Sequence, residues 1–226
     1  MSSAGQLDLE DLRLAVFDAF RHTGRAPSAG ELAAGLTVSI ATVLDGLRTL
    51  SGQRHLVVDR DGRIVMAHPF SSVPLGFSVM GAHTLWWGGC CWDAFALGHL
   101  LVDEDGVVVA TTCPGCGVAG AWVADRHRPP KDDWVAHFLV PVQHMWDDVV
   151  YTCAHQRLFC SNRCVDDWCA REGRTRGFVT DLGTVWRLAS RWYEGRLERG
   201  YVRRNPTEAV EYLRSVGLID PFWGTA

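Results

Sequence analysis

All eight cysteines of this 226-residue chain fall between Cys90 and Cys169, and all ten tryptophans lie from Trp86 onward. Whatever the chain folds into, its second part must build a tryptophan-filled core around a concentration of thiols. The compartment decides how to read those thiols. Met1-Ser2-Ser3-Ala4-Gly5 lacks a basic region followed by an apolar one, so no secretory signal is visible. No stretch approaches the roughly 20 apolar residues of a membrane span. The sequence therefore points to a cytoplasmic protein, in which eight cysteines stay reduced rather than forming four disulfides. A thiol-rich site follows, catalytic or metal-binding, set within one domain. The formal charge of −4 gives no global field for nucleic acid or an acidic membrane.

The first part reads differently. Leu9, Leu12, Val16 and Phe20 recur at helical spacing, which predicts an amphipathic helix from about Asp8 to His22. Ser28-Ala29-Gly30-Glu31 has the capping-box pattern, opening a second helix that ends near Gly35 or Leu36. A third helix is expected from Ser39 to Leu50. Leu56-Val57-Val58 and Ile64-Val65-Met66 then flank Asp61-Gly62, a hairpin signal. Three helices and a hairpin make a winged-helix-like module, and such modules often bind DNA. Between Thr37 and Leu50, however, the third helix carries one arginine, Arg48, beside one aspartate, Asp45. Phosphate binding wants several basic groups and base reading wants Arg, Asn or Gln. The expectation is a module that rests on the second domain and covers part of its site.

Pro69 to Pro74 reads as a linker, giving a module over residues 1–70 and a second domain over 71–226. There, short β-like runs (Val107-Val108-Val109, Ala121-Trp122-Val123, His137-Phe138-Leu139-Val140) alternate with turns. Helices are expected at Trp92–Leu101, Ser161–Arg171, Leu182–Leu197 and Thr207–Val216. There is no internal repeat. The fold class is α+β.

Two stretches carry chemistry. In Gly88-Gly89-Cys90-Cys91-Trp92-Asp93 two glycines end an apolar run and a helix opens with thiols. On a helix Cys90 and Asp93 share a face, and a thiol at a helix N-terminus is expected to have a lowered pKa. The pair reads as a soft nucleophile with its own acid/base partner, or as a buried cysteine beside a helix-starting aspartate. In Trp146-Asp147-Asp148-Val149-Val150-Tyr151-Thr152-Cys153, Val149 to Tyr151 reads as a strand with Cys153 at its end, facing a cleft. On that strand His155 would share the face of Cys153 and could tune it. The other histidines show no ligand set, Asp147 and Asp148 read as caps or ion pairs, and Trp86, Trp87, Trp92 and Trp146 read as a water-excluding wall around the site.

These two stretches, with Cys113-Pro114-Gly115-Cys116-Gly117, Leu158-Phe159-Cys160-Ser161 and the C-terminal run from Val185-Trp186-Arg187-Leu188 through Trp192-Tyr193 to Gly217-Leu218 and Phe222-Trp223, together resemble the organomercurial (alkylmercury) lyases. The resemblance covers most of the chain, the winged helix included. It implies carbon–mercury bond cleavage by Cys90, Asp93 and a distant Cys153, with Hg(II) left on Cys90 and Cys153. It implies no organic cofactor, an organomercurial substrate, low-molecular-weight thiols as acceptors and a mercuric reductase as the recipient of Hg(II). Cys91 stands where the family usually has a small apolar residue, and on a helix it would turn into packing. The other readings are a same-scaffold enzyme acting on another thiol-reactive or soft-metal substrate, and a metal-responsive DNA-binding sensor.

Cys113, Cys116, Cys160 and Cys164 form a C-x2-C and a C-x3-C pair, the way structural zinc ligands are spaced. Zinc, spare thiols that hand Hg(II) onward, and plain burial are the three readings of this quartet. Cys169, next to Trp168, reads as buried.

Overall fold

A computed structural model describes residues 7–225; the N-terminal pentapeptide lies outside the described residues. The chain opens with α1 (Leu9–Thr23), α2 (Ala29–Leu36) and α3 (Ile40–Gly52). Each begins on a side-chain cap: Asp8 accepts from the Glu10 amide, Ser28 and Glu31 complete the capping box, and Ser39 accepts from the Thr42 amide. The three helices bury Leu12, Val16, Phe17 and Phe20 against Leu32, Val43, Leu47 and Leu50. β1 (Val57–Val58) and β2 (Ile64–Ala67) follow as an antiparallel hairpin, turning at Gly62 with φ +79°, a backbone state suited to glycine.

Residues read as a linker instead carry β3 (Phe70–Ser71), which hydrogen-bonds β2 on one side and β5 (Leu85–Gly88) on the other. With β4 (Phe77–Met80), β6 (Val107–Thr112) and β7 (Ala119–Ala124) the hairpin becomes one edge of a seven-stranded antiparallel sheet, order β1-β2-β3-β5-β4-β6-β7. A second sheet, β10-β8-β9, is built from β8 (Val135–Phe138), β9 (Gln156–Phe159) and β10 (Phe178–Asp181). The class is α+β, with N-terminal helices and antiparallel sheets.

α4 (Cys91–Leu100) is buried at every position from Cys91 to Gly98. A helix apolar on all sides belongs in the middle of a core, and α7 (Leu182–Trp192) covers it with Leu182, Val185, Leu188 and Ala189. Trp223, fully buried, closes the far end; its ring centroid lies 5.0 Å from that of Phe138 and 6.4 Å from that of Trp92. α6 (Asn162–Arg171) and α8 (Pro206–Ser215) complete the layers. No single helix among the described residues is long and apolar enough to cross a membrane.

One expected strand is a helix. Residues from Val149 to Ala154 form α5, started by Asp148, whose carboxylate accepts from the Tyr151 amide at 2.9 Å. A capped first turn and the tertiary fit outweigh the β preference of two adjacent valines. The seventh helix ends at Trp192, not Leu197.

Arg13, 1% exposed, ties α1 to the chain beyond α7. It donates to the carbonyls of Arg196 and Glu198, each at 2.6 Å, and pairs with Glu10 at 2.7 Å. Arg13→Met leaves both carbonyls without their donor and is expected to cost about 2–4 kcal/mol. Urea unfolding of the variant checks this; a loss below about 0.5 kcal/mol contradicts it.

Candidate active site

A cavity of about 360 Å³ opens between the N-terminal module, α5 and the end of α7, and Cys90, Asp93, Cys153 and His68 line it. Cys90 is the N-cap of α4: its Sγ accepts from the Asp93 amide at 3.4 Å. Asp93, in the first turn, is 1% exposed. Its Oδ1 accepts from the Tyr193 hydroxyl at 2.5 Å, while Oδ2 lies 3.8 Å from Cys153 Sγ. Cys153 reaches this point from α5, and its Sγ is also 3.5 Å from His68 Nε2.

Gly88 and Gly89 make this approach possible. A Cβ at Gly89 would lie 2.4 Å from Asp93 Oδ2, and one at Gly88 would lie 2.8 Å from the Ala94 Cα. The helix N-terminus therefore sits directly on the end of β5, with no side chain between.

Burial governs the protonation states. It raises the Asp93 carboxyl to about 6, against hydrogen bonds from Tyr193 and Cys90 and the charge of Arg196. The Cys90 thiol is pushed well above its usual range, first by burial and then by its hydrogen bond with Cys153 and the nearby Asp93 charge. This corrects the expectation of a lowered pKa: the α4 amide does meet the sulfur, but desolvation of a closed site outweighs it. At Cys153 the hydrogen bond with Cys90 favours the thiolate, yet burial and Asp93 leave the pKa raised. His68 is held down to about 3 by burial and by the charges of Arg196 and Arg203, so it is neutral near pH 7.

Cys91, the first residue of α4, does not line the cavity and is fully buried in the core. His155 is not part of the site either. It ends α5 with Nδ1 bonded to the Tyr151 carbonyl at 2.6 Å and its ring 4.1 Å from that of Tyr151. The strand on which it was to share a face with Cys153 does not exist. Trp92 and Trp146 line the cavity, whereas Trp86 donates its indole N–H to the Phe20 carbonyl in the core and Trp87 lines a separate cleft. Asp148 caps α5, and Asp147 pairs with His144. His68, Tyr193 and Arg196 escaped the sequence reading. Their partners lie 85, 100 and more than 100 residues away, and no local spacing marks them.

Four of the remaining thiols gather elsewhere. The sulfurs of Cys113, Cys116, Cys160 and Cys164 all lie within 4.8 Å of one another and could hold a metal ion. Cys169 is buried on the inner face of α6.

A family model described as MerB, alkylmercury lyase, matches residues 70–194, more than half of the chain. That span holds Cys90, Asp93, Cys153 and Tyr193. Comparison with curated proteins gave no match. Among solved structures, the chain is similar to the mercury-bound form of MerB2, with a TM-score of 0.61 and 19% identity over 81% of this chain and 90% of that one. At that identity the likeness is one of fold.

The Asp93 shift makes a prediction. A buried carboxyl whose pKa rises from 3.8 to about 6 on folding contributes stability that is complete below pH 4 and lost as pH rises through 6. Asp93→Asn removes that loss and keeps an acceptor for Tyr193. Between pH 4 and pH 7 its stability relative to wild type is expected to improve by on the order of 2 kcal/mol. Urea unfolding at both pH values reads this; a difference independent of pH would mean that Asp93 ionises as it does in water.

Proposed function

The chain belongs to the alkylmercury lyase family, and from that premise we propose that it cleaves carbon–mercury bonds by protonolysis, giving a hydrocarbon and Hg(II). The observation that carries the proposal is the meeting of Cys90, Asp93 and Cys153 in one cavity, two thiols from separate helices flanking a single carboxyl group.

Mercury is a soft cation and thiolate is the softest ligand a protein offers. Near pH 7 both thiols start protonated and Asp93 ionised, in keeping with their shifts. The substrate is R–Hg–X, where X is the thiolate that carries it. The sulfur of Cys153 bonds to mercury, its proton passes to Asp93 Oδ2, and X begins to leave. The sulfur of Cys90 then bonds to the same mercury, and its proton departs with X. Two thiolates raise the electron density on the metal and weaken its bond to carbon. That bond breaks with its electron pair on R, and Asp93 returns the proton to carbon. The sum is R–Hg–X plus two thiols going to R–H, X–H and mercury bridged between Cys90 and Cys153, with Asp93 ionised again.

The remaining residues position this exchange. Tyr193 holds Oδ1, which leaves Oδ2 toward Cys153. Neutral His68 offers an uncharged partner to the Cys153 sulfur without competing for the proton meant for carbon. Trp92, Met145 and Trp146 give the organic group an apolar wall. Arg54 and Arg203 also line the cavity, both over the Trp146 ring. They suit the carboxylates of low-molecular-weight thiols that deliver the substrate and collect Hg(II), before a mercuric reductase receives it. The DNA-sensor reading loses support, because Arg48 on α3 is paired with Asp45 at 2.6 Å.

Phenylmercury with excess thiol is the test. The wild type is expected to release benzene over many turnovers. Asp93→Asn should lower turnover about 10²–10⁴-fold, the usual worth of a positioned acid/base, while still binding mercury. Cys90→Ser and Cys153→Ser should release none. Tight mercury binding by the wild type without benzene would refute the lyase reading.

A further inference from the structure

The quartet Cys113, Cys116, Cys160 and Cys164 plays no part in the reaction above, and its geometry is specific. Cys116 Sγ lies 3.4 Å from Cys160 Sγ, which lies 3.4 Å from Cys164 Sγ, and all four sulfurs fall within 4.8 Å of one another. Zinc–sulfur bonds of about 2.3 Å at tetrahedral angles place sulfurs about 3.8 Å apart. A disulfide would need about 2.05 Å, and all eight cysteines are free thiols. The separations are those of ligands around a common centre.

The surroundings are built for such a centre. Cys113 and Cys116 sit in the turn between β6 and β7, closed by Gly117 N donating to the Cys113 carbonyl at 2.9 Å. Cys160 follows β9, and Cys164 lies in the first turn of α6, where Ser161 caps the helix. The Cys160 amide is 3.5 Å from Cys113 Sγ, an N–H aimed at a sulfur that would carry charge. The knuckle loop presses so closely on α6 that a Cβ at Gly115 would lie 2.6 Å from Cys164 Cβ. Arg171, at the end of α6, donates to the Pro114 carbonyl at 2.7 Å. Nearby, Arg157 Nε is buried without a hydrogen-bond partner; burial lowers the pKa of its guanidinium, and the thiols of Cys91 and then Cys113 act in the opposite direction.

We propose that these four cysteines bind one structural zinc ion that fastens the β6–β7 hairpin of the large sheet to β9 and α6 of the small one. Zinc displaces four thiol protons to solvent and leaves a tetrathiolate of charge −2, the anion that the Cys160 amide faces. All four positions are filled by protein, so the centre is closed to water and substrate, as in structural rather than catalytic sites. Because β9 joins Cys160 directly to the end of α5, the same clamp fixes the segment that presents Cys153.

Metal analysis of the full chain purified under reducing conditions tests this. The wild type is expected to hold one zinc per chain, and so is the double variant Cys90→Ser/Cys153→Ser, which removes both lyase thiols. Cys116→Ser should hold less than a tenth of that. Refolding the wild type with cobalt(II) should give thiolate-to-metal charge-transfer and tetrahedral d–d absorption, a readout that stands even if Cys116→Ser does not fold. Wild type without zinc and without cobalt absorption overturns the proposal. So does iron in place of zinc, or zinc lost from the double variant. Each of these outcomes is independent of whether phenylmercury is cleaved.

Discussion

A carboxylate taken almost wholly out of water must be compensated, and the centre of this fold is arranged around how far Asp93 is. Burial alone would hold its pKa higher still. The Tyr193 hydroxyl on Oδ1, the cysteine sulfurs and the charge of Arg196 pull it back until the pKa settles near 6. Compensation is deliberately partial in effect: more would leave an inert ion pair, and less a permanently neutral acid. A group balanced there suits the role proposed for it, taking a proton from a thiol and giving it to carbon.

That balance depends on distant parts of the chain being held in place. Gly88 and Gly89 let the first turn of α4 rest on β5, so Asp93 enters the site with no intervening side chain. Tyr193 stands just past the end of α7, whose inner face covers α4. Arg196 comes three residues later, donating to the His55 carbonyl and the Tyr201 hydroxyl, and its own carbonyl is gripped by Arg13 from α1. The N-terminal helices thus reach the chemistry through one buried guanidinium. Its two bonds to the 196–198 backbone connect α1 packing to the electrostatics of Asp93.

What the sequence disclosed follows from the range of each interaction. Cys90 and Asp93 were readable because a helix turns spacing into a shared face, and the capping box at Ser28–Glu31 because it is complete within four residues. The Cys113/Cys116 and Cys160/Cys164 pairs were readable from their spacing, which offered a shared zinc site as one of three readings; choosing among these needed the tertiary fold, which brings the four sulfurs together. Cys153 was singled out by family likeness, and it does reach the cavity beside Asp93, but from a helix and not from the expected strand. Two valines and a tyrosine read as strand until Asp148 is seen to cap them. His68, Tyr193 and Arg196 left no local signature, because each acts across at least 85 residues of chain. The pKa of Cys90 went the wrong way for the same reason: a helix terminus is visible in a sequence, and the burial that overrides it is not.

The two groups of thiols differ in a way that keeps their chemistry separate. A borderline metal such as zinc gains most where four thiolates close a tetrahedron, and the quartet offers that without opening the lyase cavity. Cys90 and Cys153 offer two sulfurs and one carboxylate behind a desolvation barrier that keeps both thiols protonated. For zinc that is unfavourable even with His68 within reach of Asp93 and Cys153, because two buried thiol protons must be displaced. For the organomercurial proposed as substrate it is sufficient, since two sulfurs are enough for a soft cation and the displaced protons are the reagents of the proposed reaction. High thiol pKa values, which would disable an ordinary cysteine nucleophile, here favour the metal that can expel the proton itself.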